Sequence, residues 1–107
     1  MTIDTLFTQF DSVFFEKTRL SMMTILYKEE PVSFNRLKKV IGGTDGSIYA
    51  HLQKLQDAGY IGQQKEIMGG KVQTSYFLTA EGKKIFRKYI KFMEEMIHEQ
   101  KRGKSDA

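Results

Sequence analysis

Cysteine is absent from the 107 residues, proline occurs once, and no apolar run approaches the length needed to cross a membrane. Without cysteine there is no disulfide, no thiolate metal site and no thiol nucleophile. The same absence accords with a cytoplasmic protein, the expected location. No charged segment followed by an apolar one opens the chain, so export and membrane insertion are not expected. A histidine–acid–nucleophile set, a cluster of metal ligands and a phosphate-binding glycine loop are missing too. An enzyme is therefore not expected, and neither a cofactor nor a metal is called for.

What is present is an ordinary globular composition, 40% hydrophobic and 28% charged. It fits one domain, residues 1–107, with a modest core. The net charge of +4 is mild, but its placement is uneven. From Asn35 to Lys91 eleven lysines and arginines stand against four acids, a net +7, while residues 1–34 carry −2 and residues 92–107 carry −1. A concentrated excess of this kind is what phosphate binding requires, although solvated lysine-rich helix faces would produce it as well.

Ile3, Leu6, Phe7 and Phe10 recur at helical spacing and predict an N-terminal helix within residues 1–15, capped by Thr2. The run DSVFFEKT breaks that period and predicts a bend. A helix from about Lys17 to Glu29 should bury Leu20, Met23 and Leu26, with Met22 and Ile25 on its flank, and Pro31 ends it. Val32 to Phe34 can form a short bridge. Ser33 or Asn35 then caps a short helix with Leu37, Val40 and Ile41 facing inward. Gly42-Gly43-Thr44 form a turn, and Thr44 caps a second helix, about 45–58, whose buried stripe is Ile48, Leu52 and Leu55. Gly59 suits the left-handed position after that helix, with Tyr60 folding back on Leu55. Alternation in residues 61–78 around Gly69-Gly70 predicts a hairpin. Thr79 caps a last helix over 80–100, and 101–107 reads as a flexible polar tail.

Two helices joined by a glycine-containing turn form a helix-turn-helix, and one running directly into a hairpin forms a winged helix. The fold class is thus mainly α with a small β-hairpin wing: a core over 17–79, with additional N- and C-terminal dimerisation helices. Such a second helix lies in a DNA major groove. With Ile48, Leu52 and Leu55 turned inward, Ser47, Tyr49, Ala50 and Gln53 point outward where base edges are read, and Lys54 lies nearer backbone phosphate. Gly46 lets the helix N-terminus approach a phosphate. Lys65 and Lys71 flank the hairpin tip, with Gln73 and Thr74 on the return strand as contacts to backbone or minor groove. Arg36 and Thr44, at the start of the motif, complete the candidate DNA-binding set. An amphipathic helix and a surface hairpin that meet only water would show the same residues. His51, beside the apolar stripe, reads as a packed or hydrogen-bonded histidine rather than a metal ligand, since His98 lies in another helix.

The string TDGSIYAHLQKLQDAGYI, followed by GGKVQTSYFLTAEGKKIF, resembles the winged helix-turn-helix transcriptional regulators of the MarR/ArsR/PadR-like group. RLSMMTIL, from Arg19, resembles the R-L-x-I-L stretch opening their first core helix, and together these strings cover about residues 18–90. The resemblance implies that Gly46, Ser47, Tyr49, Ala50 and Lys54 face DNA and that Lys71 and Thr74 are wing contacts. Members often carry Ser-Arg where this chain has Tyr49-Ala50, which leaves no arginine there for a guanine. The cysteine-based metal sensing of some ArsR proteins cannot operate here.

The expected function is a sequence-specific double-stranded DNA-binding transcriptional regulator acting as a homodimer on a pseudo-palindromic site. The alternative is a non-enzymatic winged-helix interaction or adaptor module. The sequence leaves room for a small-molecule effector of unspecified chemistry. Dimerisation is expected through Ile3, Leu6, Phe7 and Phe10 together with Tyr89, Phe92, Met93, Met96 and Ile97, stripes too long for one small domain to cover; the alternative is that the N-terminal helix packs back on the last helix of the same chain.

Overall fold

The computed structural model describes residues 4–106, with side chains other than those of residues 5–7, 68 and 100–106. The elements are α1 (Asp4–Gln9), α2 (Lys17–Glu29), β1 (Val32–Ser33), α3 (Phe34–Ile41), α4 (Asp45–Asp57), β2 (Ile61–Met68), β3 (Lys71–Leu78) and α5 (Ala80–Asp106). The fold is the expected one, mainly helical with a hairpin wing, and β1 adds a third antiparallel strand in the order β1-β3-β2. No helix among the described residues is long and apolar enough to cross a membrane.

α2 is the central helix. The Glu16 carboxylate caps it by accepting the Arg19 amide at 2.9 Å, and the proline after Glu30 prevents its continuation. Met22, Met23 and Leu26 are fully buried, while Leu20 and Ile25 are half-buried. Met22 thus belongs to the core and not to the flank. The cause is that α3, α4, α5 and β3 all pack on α2, so more than one stripe of it is covered.

α3 starts where the Ser33 hydroxyl accepts the Arg36 amide at 3.1 Å. Only Leu37 is fully buried; Ile41 is half-buried, and Val40, expected inward, is 48% exposed. A helix of two turns offers its neighbours one narrow face, and Val40 lies off it. α4 follows the expectation closely. Thr44 Oγ1 accepts the Ser47 amide at 3.1 Å, and Ile48, Leu52 and Leu55 are at most 1% exposed. The helix ends as a Schellman motif: Tyr60 N–H donates to Leu55 O at 3.0 Å and Gly59 N–H to Gln56 O at 2.9 Å, with Gly59 at φ 82°.

In the hairpin Met68 pairs with Lys71 and Ile61 with Leu78. The two residues between the strands, Gly69 and Gly70, have φ of 59° and 78°, the left-handed pair that a two-residue turn of this twist needs. β1 pairs Val32 with Tyr76 and Ser33 with Ser75, tying the start of α3 to the wing.

α5 is fastened to the end of α4. Thr79 N–H donates to Tyr60 O at 3.1 Å, and Thr79 Oγ1 donates to Gly59 O at 2.6 Å while accepting the Gly82 amide at 3.0 Å. Gly82 sits so close to this joint that a Cβ there would lie 2.0 Å from Tyr60 O. The α5 backbone stays helical to Asp106, past the Gln100 end and into the segment read as a tail. Lys, Arg and Gln there are good helix formers.

The N-terminal segment folds back on α5 of the same chain. Phe10 is 4% exposed, with ring centroids 5.6 Å from Phe14, 5.7 Å from Tyr89 and 5.8 Å from Phe92. Phe10 and Phe92, expected at a dimer interface, are therefore core residues. One aromatic cluster covers these two rings within the chain. Ile3 and the expected Thr2 cap lie outside the described residues, as do the side chains of Leu6 and Phe7.

Candidate nucleic-acid interface

Gly46, Ser47, Tyr49, Ala50, Gln53 and Lys54 are all exposed on α4, opposite the Ile48–Leu52–Leu55 stripe. A side chain built at Gly46 would meet open space, so nothing crowds the helix start there. Thr44 is exposed, but its hydroxyl is occupied as the cap. Lys38 Nζ forms an ion pair with Asp45 on the first turn of α4. That contact closes the turn and offsets a carboxylate that would repel phosphate. Gln53 Nε2 donates to Asp57 Oδ1 at 2.8 Å, a bond along the helix that occupies its amide group.

Tyr49 is the most defined feature of this face. Its side chain is 53% exposed, yet its ring stacks on Phe34 at 4.2 Å with 15° between planes. Tyr49, Phe34, Asn35, Ser33, Val72, Gln73 and Thr74 line one cleft of about 220 Å³. The structure thus joins α4 to the return strand of the wing, which the sequence separates by more than twenty residues. Asn35, whose amide side chain both donates and accepts, and Phe34 belong to this surface. Sequence reading missed both: Asn35 was seen only as a cap, and nothing local marks Phe34 as a platform for a residue on another helix.

Arg36 does not join this group. It forms a forked pair with Glu29, Nη2 to Oε1 at 3.1 Å and Nε to Oε2 at 3.3 Å. It lines a separate cleft with Glu29, Pro31, Glu66, Gln73 and Ser75. Consecutive helical residues point about 100° apart, so Asn35 and Arg36 face different ways. Lys65 and Lys71 are both exposed, but on opposite faces of the ribbon. Lys65 pairs with Thr74, and Lys71 with Met68, and side chains alternate along each strand. Gln73 and Thr74 are half-buried at the wing base.

His51 is a structural residue, as its place beside the stripe suggested. Its Nδ1 lies 2.9 Å from Nη1 of Arg19. Arginine only donates, so Nδ1 accepts and the ring proton sits on Nε2. Arg19, 7% exposed, also donates through Nε to Val13 O at 2.6 Å and through Nη2 to Ser12 O at 3.2 Å. One guanidinium therefore holds the α1–α2 connection against the recognition helix. Burial pushes the nearby Glu16 carboxyl up, but backbone amides at Arg19 and Thr18 and the charge of Arg19 outweigh it, leaving the net shift downward. In the same connection burial raises Asp11. Hydrogen bonds from the Tyr60 hydroxyl and the Phe14 and Val13 amides reverse that, and Asp11 ends below its ordinary value. Tyr60 is pushed up to about 12 by burial, by its hydrogen bond to Asp11, and by the charges of Asp11 and Glu81. Tyr76, beneath the wing, is raised by burial and then by Tyr49. His98 lies beside Glu94, Glu95 and Glu99 on α5, and no cluster fit to hold a metal occurs among the described residues.

Residues 18–97 match the family described as a winged helix DNA-binding domain. An uncharacterised protein of Methanocaldococcus jannaschii, MJ0432, is 33% identical over 78 residues, covering 73% of this chain and 85% of that one. The fold is similar to that of a transcriptional regulator homologue from Pyrococcus horikoshii OT3, with a TM-score of 0.75, 20% identity, and 86% and 91% of the two chains covered. It is also similar to MepR of S. aureus, solved as a complex with DNA, with a TM-score of 0.72, 16% identity, and 92% and 78% covered. Regulators of the MarR and PadR families are among its further structural neighbours. With its helix-turn-helix, its wing and the match across residues 18–97, the chain belongs to the family of winged helix DNA-binding domains, which is not a family of enzymes.

Proposed function

We propose that the protein is a homodimeric, sequence-specific regulator of transcription. In this reading α4 enters the major groove and the β2–β3 wing lies on the backbone or minor groove beside it. The observation that carries the reading is the single cleft in which Tyr49 of α4, propped on Phe34, faces Val72 and Thr74 of the wing. A rigid aromatic on the exposed helix and a polar strand edge opposite it form a concave surface inside the segment of charge +7. Ser47, Tyr49, Ala50 and Gln53 read bases, while Lys54, Lys65 and Lys71 hold phosphates.

Dimerisation is assigned to the far end of α5. Phe10 and Phe92 are satisfied inside the chain and Tyr89 is half-covered by them. Among the described side chains of the expected interface there remain Met93 and Met96, half-buried, and Ile97, 53% exposed. A second copy meeting these around a two-fold axis would present two recognition helices to successive major grooves, about 34–36 Å apart.

Selection of bound sites from a random duplex pool tests the reading. The expected product is an inverted repeat with one helical turn between half-site centres. If about six phosphates are neutralised, log K should fall against log salt with a slope of about −5. Glu at both Met96 and Ile97 should give monomers in sedimentation that bind the repeat far more weakly. No enrichment together with a flat salt dependence would instead point to an interaction module, and an intact protein that sediments as a monomer at tens of micromolar would remove the dimer.

A further inference from the structure

The two most exposed large apolar side chains of the described residues are Ile67, 81% exposed, and Val72, 66% exposed. They are cross-strand partners near the wing tip. Because side chains alternate, Lys65, Ile67, Val72 and Thr74 share one face of the ribbon, continuous inward with Ile61, Tyr76 and Leu78 of the core. The acid of the outer wing, Glu66, is on the other face, where Gln64 Nε2 binds it at 2.7 Å. The apolar pair therefore sits in a field set by Lys65, with no carboxylate on its own face. Toward the body the same face runs into the cleft shared with Tyr49, since Val72 and Thr74 line it.

We propose that Ile67 and Val72 form an apolar wedge that enters the minor groove of duplex DNA and makes binding depend on a deformable base step flanking the site read by α4. This rests on the DNA-binding reading above and adds to it a determinant of specificity. Two side chains form far too small a patch for a stable protein partner, whose interface takes about 800 Å² from each side. A narrow apolar ridge with Lys65 beside it and no carboxylate on its face instead complements a groove about 6 Å wide with anionic edges. Cross-strand partners stand about 4.5–5.5 Å apart at Cβ, narrow enough to enter it together. Apolar side chains that enter the minor groove do so by partly unstacking a base step. Pyrimidine–purine steps such as TA yield most readily, and A-tracts resist. The wedge thus reads deformability and makes no base hydrogen bond.

Ile67→Thr with Val72→Thr tests this. Threonine keeps the β-branch, and hence the strand preference, while removing the apolar surface. The full chain is titrated against the selected duplex carrying either a TA step or an A-tract under the wing, and DNA bending is followed by energy transfer between end labels. The native protein should prefer the TA duplex about tenfold and bend it. The double variant should lose both the preference and the bend, with its salt slope and thermal melting unchanged. A native protein that binds both duplexes equally, or a variant that keeps the preference, overturns the wedge alone. A variant weakened equally on both duplexes with a lower melting temperature assigns the pair to hairpin stability and overturns the wedge too. A native protein that binds no duplex at low salt overturns the DNA-binding reading itself.

Discussion

Tyr49 is held in place before any ligand arrives, and that pre-organisation has a measurable size. Its ring lies 4.2 Å from Phe34, nearly parallel to it. An aromatic pair contributes about 0.5–1.5 kcal/mol beyond its area, and ordering one side chain at an interface costs about 0.5–1.5 kcal/mol. Phe34→Leu removes the platform and keeps an apolar residue at the half-buried start of α3, so the fold should persist. Tyr49 would then be ordered only on binding. Affinity for the selected duplex should fall by about 0.5–1.5 kcal/mol, about two- to twelvefold. Fluorescence anisotropy on the selected duplex reads this, with Tyr49→Ala completing a double-mutant cycle. In the Tyr49→Ala background Phe34→Leu should cost no more than about 0.3–0.5 kcal/mol, the scatter of independent sites. Equal losses in both backgrounds would show that Phe34 acts through the fold and not through Tyr49.

Gly82→Ala should destabilise the joint between α4 and α5, because its Cβ would meet the Tyr60 carbonyl at 2.0 Å and backbone must move. A cost of about 1–3 kcal/mol is expected, seen as a fall of several degrees or more in a circular-dichroism melt, and an unchanged melt would place Gly82 outside any close contact. Asp11 and Glu16 titrate below their ordinary values of 3.8 and 4.5, so the unfolded chain binds more protons in acid. Their contribution to stability is therefore present above those values and lost as pH falls through the lower folded ones. Asp11→Asn should flatten the acid limb of a urea-midpoint profile, and an unaltered limb would refute the Tyr60–Asp11 tie. Tyr60 shifts the other way, from 10.0 to about 12. Its contribution is whole below pH 10 and is lost as pH rises through about 12, and Tyr60→Phe should remove that alkaline loss.

Much of this architecture is local and hence legible in the residues themselves. Ile48, Leu52 and Leu55 recur at one helical face, so α4 and its outward side follow from spacing alone. Thr44 as a cap, Gly59 as the left-handed terminator and Gly69-Gly70 as the hairpin tip each depend on a few neighbouring dihedrals. Those dihedrals need no distant partner to be specified.

What tertiary structure decided is which partner meets each side chain. Burial of apolar surface is not directional. Phe10 and Phe92 required covering, but nothing in their spacing distinguished a second chain from the aromatic cluster with Phe14 and Tyr89 in which they pack. Met22 entered the core only because several elements surround α2. Arg36 turned to Glu29, and Asn35, one residue earlier, lines the cleft of Tyr49, a consequence of where α3 docks. The Arg19–His51 bond spans 32 positions, and the Phe34–Tyr49 stack joins two helices. Such contacts arise from the packing of whole elements, and that packing sets the shape of the surface around Tyr49.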